Sequence, residues 1–141
     1  SADIVTTVAE DMPRRLWEKL AVNAGINATT ALADIDNGAL LDGEANTVAT
    51  AAGREVADVA AADGVDVSPE EAIAAVEEVA EATAENTSSM RQDVLAGRRT
   101  EVDAINGYVV EQGGKLGVDV PVNETLAVLR RAWEADHLKE D

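Results

Sequence analysis

Small hydrophobic residues dominate this chain, and they restrict the folds that it can adopt. Hydrophobic residues make up 46% of the 141 residues, yet aromatic residues make up only 2% and phenylalanine is absent. Alanine supplies much of the hydrophobic content, and it is the strongest helix former. Ile, Tyr, Phe and Trp, which favour strands, are few. We therefore predict an all-α domain in which small side chains allow the helices to pack closely.

Start and stop signals divide the chain into six predicted helices. Pro13, in a first turn, begins the first helix, and Ser68 followed by Pro69 begins the third. Thr100 and Asn123 are the predicted caps of the last two helices. The predicted helices, within a single domain of residues 1–141, span about 14–33, 44–62, 68–85, 88–96, 100–116 and 123–135. The length suits one core, so we expect a compact multi-helix bundle without an internal boundary.

The chain is strongly acidic, with 28 acidic residues against 11 basic ones and a net charge of −17. A carboxylate-rich surface repels phosphates, so we expect neither nucleic acid nor an anionic membrane as a partner. The acids are dispersed along the helices, as in a halophilic protein whose repulsion is screened by salt, and an ordinary acidic protein is the alternative. Because no run of about 18 apolar residues predicts a membrane span, we expect a cytoplasmic location.

Several kinds of catalytic and metal-binding chemistry lack the residues that they need. Cysteine is absent and His137 is the one histidine of the sequence, which argues against thiolate sites and histidine-based catalysis. The glycine-rich patterns GxGxxG and GxxxxGK[ST], which hold nucleotide phosphates, do not occur. The segment DIDNGALLDGE, from Asp34, resembles a calcium loop, but Gly38 occupies the fifth position, where a ligand is required. We therefore predict no metal site.

Polar residues at four-residue spacing interrupt the apolar face of the first predicted helix. In LWEKLAVNAGINATTAL, residues 16–32, Lys19, Asn23 and Asn27 follow one another at this spacing. Four residues make slightly more than one helical turn, so the three side chains stand along one edge of the helix. This polar edge borders a predicted buried stripe that consists of Trp17, Leu20, Ala21, Ala24, Ala28 and Ala31.

The chemistry of these residues leaves two interpretations of each. A half-buried Lys19 is suited to donate a proton, or its stem covers the helix while its ammonium reaches water. Asn23 and Asn27 either face a ligand or bond backbone carbonyls in the core. The serines at 88–89 are by default helix caps, and Glu101 is by default an acid favoured by a helix N-terminus.

Three segments, in order along the chain, resemble motifs of the ketopantoate reductase (2-dehydropantoate 2-reductase) family. LWEKLAVNAGIN matches its W-x-K-L-x-x-N-x-x-x-N pattern, and SSMRQDVLAGRRTEVDAING matches S-S-M-x-Q-D…G-R-x-T-E-[IV]-[DE]-x-[IL]-N-G. GVDVPVNETL is similar to a later G-[IV]-x-[VT]-P-x-N-x-x-L pattern. The resemblance covers nearly the whole chain. It implies the family's C-terminal domain, an all-α unit resembling that of 6-phosphogluconate dehydrogenase.

The resemblance also implies an activity and the residues that perform it. The family reduces 2-dehydropantoate to pantoate with NADPH, a step toward pantothenate and coenzyme A. Lys19 matches the family's catalytic lysine, which donates a proton to the ketone oxygen. The matches to the family's substrate-binding residues are Asn23, Asn27, Asn37, Ser89 and Glu101, with a weaker match at Asp93. The implied partners are the family's N-terminal nucleotide-binding domain and a second copy in a homodimer.

Two features depart from the family pattern. The proline and leucine that often follow the second asparagine are replaced by Ala28 and Thr29, at packing positions. The glycine-rich nucleotide-binding half is not in this sequence, so we expect a C-terminal fragment that neither binds NADPH well nor turns over alone. The alternatives are a stand-alone acidic helical module that binds a protein partner, and a reductase of a different 2-keto acid.

Overall fold

Helices form all of the regular structure in the part of the chain that the computed structural model describes, namely the backbone of residues 2–138 and the side chains of residues 12–138. The α-helices are α1 (Ala2–Ala33), α2 (Gly43–Ala62), α3 (Pro69–Ala82), α4 (Ser89–Leu95), α5 (Asn106–Leu116) and α6 (Pro121–His137). Short 3-10 helices at Asn37–Leu41 and Val102–Ala104 precede α2 and α5. The all-α prediction is confirmed. No helix of the described part is long and apolar enough to cross a membrane.

Three predicted helix starts differ from the observed ones. α1 extends N-terminally past Pro13, which lies inside the helix at an exposed position where water can bond the carbonyl that proline leaves free. Thr100 does not cap an α-helix, because α5 begins only at Asn106. Asn123 is not a cap either, because α6 begins at Pro121 and Asn123 lies fully buried in its first turn.

Ser68 caps α3 as predicted. Its hydroxyl accepts the N–H of Glu71 at 3.0 Å, and the Glu71 carboxylate accepts the N–H of Ser68 at 2.9 Å. The hydrogen bond that the backbone N–H of Ser68 donates to this carboxylate lowers the pKa of Glu71 below its ordinary value, and the Ser68 side chain and the charge of Arg14 act in the same direction. The ion pair between Arg14 and Glu71 also ties the start of α3 to α1, so the capping box fixes where α3 meets its neighbour.

Small residues allow α1, α2 and α3 to approach closely. The predicted buried stripe of α1 is largely confirmed, with at most 9% exposure at Trp17, Ala21, Ala24, Ala28 and Ala31. A Cβ atom on Gly25 would lie 2.7 Å from the carbonyl oxygen of Ala49, and one on Gly53 would lie 3.0 Å from a methyl group of Val76. Larger residues would push the helices apart, so these glycines and alanines set the helix separation.

A buried polar network joins α1, α2, α5 and α6. Asn106 donates from Nδ2 to the carbonyl of Ala24 at 3.2 Å and to Oδ1 of Asn123 at 2.9 Å. Asn123 donates from Nδ2 to the carbonyl of Ala52 at 3.1 Å and to Glu55 at 2.9 Å. Glu55 also accepts two backbone N–H groups in the first turn of α6, each at 2.9 Å. A carboxylate of α2 therefore performs the capping that no residue before α6 provides.

Arg130 is a buried cation within α6. Its side chain is 1% exposed, and its guanidinium carbon lies 4.6 Å from the ring centroid of Trp133. Among the described residues, neither Nε nor Nη1 finds a hydrogen-bond acceptor. Burial lowers the pKa of Arg130 below its ordinary value, and the neighbouring charge of Glu134 opposes this shift. The charge of Glu134 and the ring of Trp133 therefore compensate the burial of this cation.

We expect Arg130→Met to lower the free energy of unfolding by about 2 kcal/mol, because it leaves the buried carboxylate of Glu134 without the buried cation beside it. The lost contact with the ring of Trp133 adds to this loss. Urea unfolding followed by tryptophan fluorescence measures the change. Arg54→Met, at an exposed arginine of α2, is the matched control and should change stability by less than about 0.5 kcal/mol. A clear gain of stability in the Arg130 variant would contradict the expectation.

Candidate functional site

The polar edge of α1 is buried progressively along its length. Lys19 is exposed, Asn23 is half-buried and Asn27 is 9% exposed. Among the residues that the structure describes, the side chains of Lys19 and Asn23 have no hydrogen-bond or ion-pair partner. An ammonium group and an amide are therefore left available to a ligand beside the buried stripe.

The start of α4 closes the buried end of the polar edge. Thr30, about one turn beyond Asn27, shares a hydroxyl–hydroxyl hydrogen bond of 2.7 Å with Ser88. Ser88 also caps α4, because its hydroxyl accepts the N–H of Arg91 at 3.2 Å. Ser89 is the next residue and its side chain is exposed. The structure thus brings Ser89 to the Asn27 end of the polar edge, with Ser88 as the structural serine.

Arg91 fixes α4 against the C-terminal end of α1. Its Nε donates to Asp34 at 3.0 Å and its Nη1 donates to Asp36 at 2.6 Å. These hydrogen bonds, to Asp34 first and Asp36 second, raise the pKa of Arg91 above its ordinary value. The carboxylates are exposed, so the ion pairs orient α4 more than they stabilise the fold. Sequence reasoning missed Arg91, although a basic residue within the SSMRQD motif was a usable signal.

The segment that begins at Glu101 shares a hydrophobic cluster with α1. Val102 is buried in one cluster with Trp17 of α1, and the rings of Trp17 and Tyr108 lie 6.4 Å apart. Glu101 itself is exposed at the start of the 3-10 helix. Lys19 and Glu101 are thus close in sequence to two members of one cluster, Trp17 and Val102, and no ion pair joins Lys19 to Glu101 in the described part of the chain.

Asn37 and Asp93 make their hydrogen bonds with loop residues and not with residues of the polar edge. Asn37 is 6% exposed, and it donates from its side chain to Thr83 at 2.9 Å and from its backbone to Asn86 at 3.1 Å. Its Oδ1 is buried and finds no donor among the described residues. Asp93 accepts two hydrogen bonds from Arg98, at 3.1 and 3.2 Å. In this structure the two residues brace the loops that follow α1, α3 and α4.

An open apolar groove of about 480 Å³ adjoins the exposed end of the polar edge, with Leu16, Trp17, Leu20 and Tyr108 among its walls. Beyond this groove, α1 carries the exposed ammonium of Lys19, the half-buried amide of Asn23 and the buried amide of Asn27, and α4 begins with the exposed Ser89. Such a set of donors and acceptors beside apolar walls suits a small polar organic molecule. No group of three or more His, Cys, Asp or Glu side chains within residues 12–138 is placed to hold a metal ion.

Sequence comparison supports this interpretation. The family model described as "Ketopantoate reductase PanE/ApbA C terminal" matches residues 11–134. A 2-dehydropantoate 2-reductase of Halobacterium salinarum is 48% identical over 143 residues, which cover 93% of this chain and 43% of that protein. The chain therefore spans less than half the length of this curated relative.

Solved structures share the fold. A D-mandelate dehydrogenase, in a ternary structure with NADH and anilino(oxo)acetate, superposes with a TM-score of 0.85 at 28% identity, covering 92% of this chain and 73% of that chain. A dimeric ketopantoate reductase from Staphylococcus aureus superposes with a TM-score of 0.78 at 25% identity, covering 87% of this chain and 43% of that chain. Both similarities span nearly all six helices.

Proposed function

This chain belongs to the ketopantoate reductase PanE/ApbA family as a C-terminal domain, and we propose that it is the substrate-binding half of an NADPH-dependent 2-dehydropantoate 2-reductase. One observation carries the proposal. The unengaged ammonium of Lys19 and the half-buried amide of Asn23 stand on one edge of α1, and this edge continues through the buried Asn27 to the start of α4. A small hydroxylated keto acid requires several such groups in fixed positions.

Lys19 is the proposed proton donor. Reduction of a ketone builds negative charge on its oxygen, and NADPH, when bound, supplies the hydride to the carbonyl carbon. The ammonium of Lys19 attracts the oxygen and transfers a proton to it, which stabilises the transition state more than the ground state. Because Lys19 is exposed, the neutral amine that remains regains its proton from water.

The other predicted residues hold the substrate in this proposal. The amides of Asn23 and Asn27 bond its hydroxyl and keto oxygens, and the hydroxyl of Ser89 donates to its carboxylate. Glu101 accepts a hydrogen bond from a substrate hydroxyl and orients the ammonium of Lys19. We expect Asn37 to act indirectly, because it is buried against the loop between α3 and α4.

The nucleotide is held mainly by the half of the protein that lies outside this chain. This sequence has no glycine-rich phosphate loop. The residues present fit only the reacting end of a nicotinamide nucleotide, because the apolar groove beside Lys19 suits a flat ring next to a proton donor. The preference for NADPH over NADH follows from the family assignment and depends on the other half.

A reductase of a different 2-keto acid is the second candidate. The D-mandelate dehydrogenase of similar fold was solved with NADH and a substituted oxoacetate, and a lysine on this fold does not by itself select the substrate. In that case the polar edge performs the same proton transfer on a keto acid with a different substituent. Relative turnover of ketopantoate and phenylglyoxylate separates the two candidates.

Assembly and environment complete the proposal. We expect a homodimer, as described for the Staphylococcus aureus reductase of similar fold. The net charge of −17 suits a salt-rich cytoplasm, so we expect the protein to be most stable and active at high salt. The second copy and the nucleotide-binding half are the only macromolecular partners that the proposal requires.

The full-length polypeptide should consume NADPH when ketopantoate is added, at molar concentrations of salt. Oxidation of NADPH and of NADH is followed by absorbance with ketopantoate, phenylglyoxylate and pyruvate as substrates. Preference for ketopantoate supports the first candidate, and preference for another 2-keto acid supports the second. Absence of turnover with every 2-keto acid and both nucleotides would contradict both and favour the stand-alone binding module.

A further inference from the structure

Glu134, on α6, is a buried carboxylate directed at the segment before Glu101. It is 5% exposed, and its Oε2 accepts the backbone N–H of Thr100 at 2.8 Å and the hydroxyl of Thr100 at 2.5 Å. A largely exposed Arg99 lies 3.6 Å from its other oxygen. The side chain of Glu134 thus binds both donors of one residue that is remote in the sequence.

Thr100 holds the chain on both sides of Glu101. While its hydroxyl donates to Glu134, the same oxygen accepts the N–H of Val102, at 3.4 Å. The carbonyl of Glu101 accepts the N–H of Ala104 at 3.0 Å. Hydrogen bonds therefore restrain the backbone at Thr100, Glu101 and Val102, while the side chain of Glu101 is exposed.

The cost of burying a charge suggests that this arrangement serves more than stability. A carboxylate removed from water is stabilised only when several donors surround it, and a pair of apolar residues would usually hold two segments together equally well. Glu134 accepts hydrogen bonds from Thr100 and lies beside the buried Arg130. A buried charged group therefore forms the contact between α6 and a short loop. Directional hydrogen bonds fix the orientation of that loop, which apolar packing does not.

We propose that Thr100 and Glu134 act as positioning residues that hold Glu101 at the distance from Lys19 and the substrate that catalysis requires. The proposal rests on the proposed function, because it assigns Glu101 to the substrate site. Neither positioning residue touches the substrate. Their effect passes through the backbone of Glu101, and displacements of a reacting group by about 1 Å are known to reduce rates by up to about 100-fold.

Substitutions at Thr100 in the full-length reductase test the proposal. We expect Thr100→Val, which keeps the shape but removes the hydroxyl, to lower kcat/KM about tenfold. Thr100→Ser keeps both hydrogen bonds and should stay within about twofold of the unmodified enzyme. Glu134→Gln should change kcat/KM in the same direction as Thr100→Val. Thr50→Val is the matched control, because the hydroxyl of Thr50 bonds only within α2.

A double-mutant cycle separates positioning from a general structural role. If Thr100 acts through Glu101, the variant Thr100→Val with Glu101→Gln should be no slower than Glu101→Gln alone. If the double variant is slower by the product of the factors for Thr100→Val and Glu101→Gln, the proposal is wrong. A Thr100→Ser variant as slow as Thr100→Val would also overturn it. An unchanged rate in Glu101→Gln alone would also overturn it, while the substrate tests above still decide the proposed function.

Hydrogen exchange gives a readout that does not depend on activity. In the full-length reductase, Thr100→Val should speed exchange of the amides of residues 101–105 about tenfold, because the restraints on this segment are lost. Thr100→Ser and Thr50→Val should leave these amides unchanged. Unchanged exchange in Thr100→Val would overturn the proposal, whether or not the enzyme reduces ketopantoate. If exchange is faster in Thr100→Val but the unmodified full-length protein reduces no 2-keto acid, the proposed function is wrong. The positioning of a catalytic group is then wrong as well.

Discussion

In the full-length reductase, Lys19→Ala should lower kcat for ketopantoate at least about 100-fold, with a smaller change in KM. A positioned proton donor contributes about 100-fold to 10,000-fold to such a step. The side chain is exposed and unengaged among the described residues, so its removal leaves no buried group without a partner. The loss should therefore appear in the rate and leave stability unchanged. Steady-state NADPH oxidation together with urea unfolding measures both.

Lys115→Ala is the matched control for this prediction. Lys115 is an exposed lysine on α5 whose ion pair with Glu111 lies four residues away on the same helix. Its removal changes the net charge by the same amount, so it reports any effect of charge alone on binding an anionic substrate. If Lys19→Ala and Lys115→Ala slow the enzyme equally, the polar edge of α1 does not supply the proton, although the family assignment stands.

The features that the sequence predicts best are those with local geometry. The spacing of Lys19, Asn23 and Asn27 follows from the helical period alone, and the structure keeps these three residues on one edge of α1. The same holds for Ser68, whose cap needs only the next three residues. Local patterns of this kind do not depend on how the helices pack, so they were predictable before any contact was known.

Asn123 and Thr100 show where local patterns fail. Each is a residue type that favours helix caps, and each precedes or begins an apolar stretch. In the structure their polar groups bind Glu55 and Glu134, residues 68 and 34 positions away. Tertiary packing decides whether such a residue caps a helix or binds a distant carboxylate. The helical period of the sequence carries no information about that packing.

Some residues of the candidate site are likewise predictable from sequence motifs, and others are placed only by tertiary packing. Sequence motifs bring Ser89 and Glu101 into consideration, and the structure brings Ser89 to the Asn27 end of the polar edge through Ser88 and Thr30. Asn37 is held instead by residues after α3, which no spacing in the sequence reveals. The roles of these residues stay predictions until the variants are assayed.

Asn123→Ala should lower the free energy of unfolding of the domain by about 3 kcal/mol. Asn123 is fully buried, and its side chain makes three hydrogen bonds, with Asn106, Glu55 and the carbonyl of Ala52. Removal leaves a buried N–H donor of Asn106 without a partner and takes one of three donors from the buried carboxylate of Glu55, each at a cost of about 1–3 kcal/mol. Urea unfolding at fixed salt measures the loss, and an unchanged slope would show that the unfolded state is unaffected.

Asn123→Asp and Asn86→Ala define the cause of that loss. Asn123→Asp keeps the shape but sets a second carboxylate against Glu55, so at neutral pH we expect it to destabilise the domain more than Asn123→Ala. Like charges raise the pKa of the new carboxyl in the folded state, so stability should recover as pH falls through that pKa. Asn86→Ala removes an exposed amide and should cost less than about 0.5 kcal/mol. If Asn123→Ala and Asn86→Ala lower the free energy of unfolding equally, the packing of α1, α2, α5 and α6 does not depend on the buried polar network.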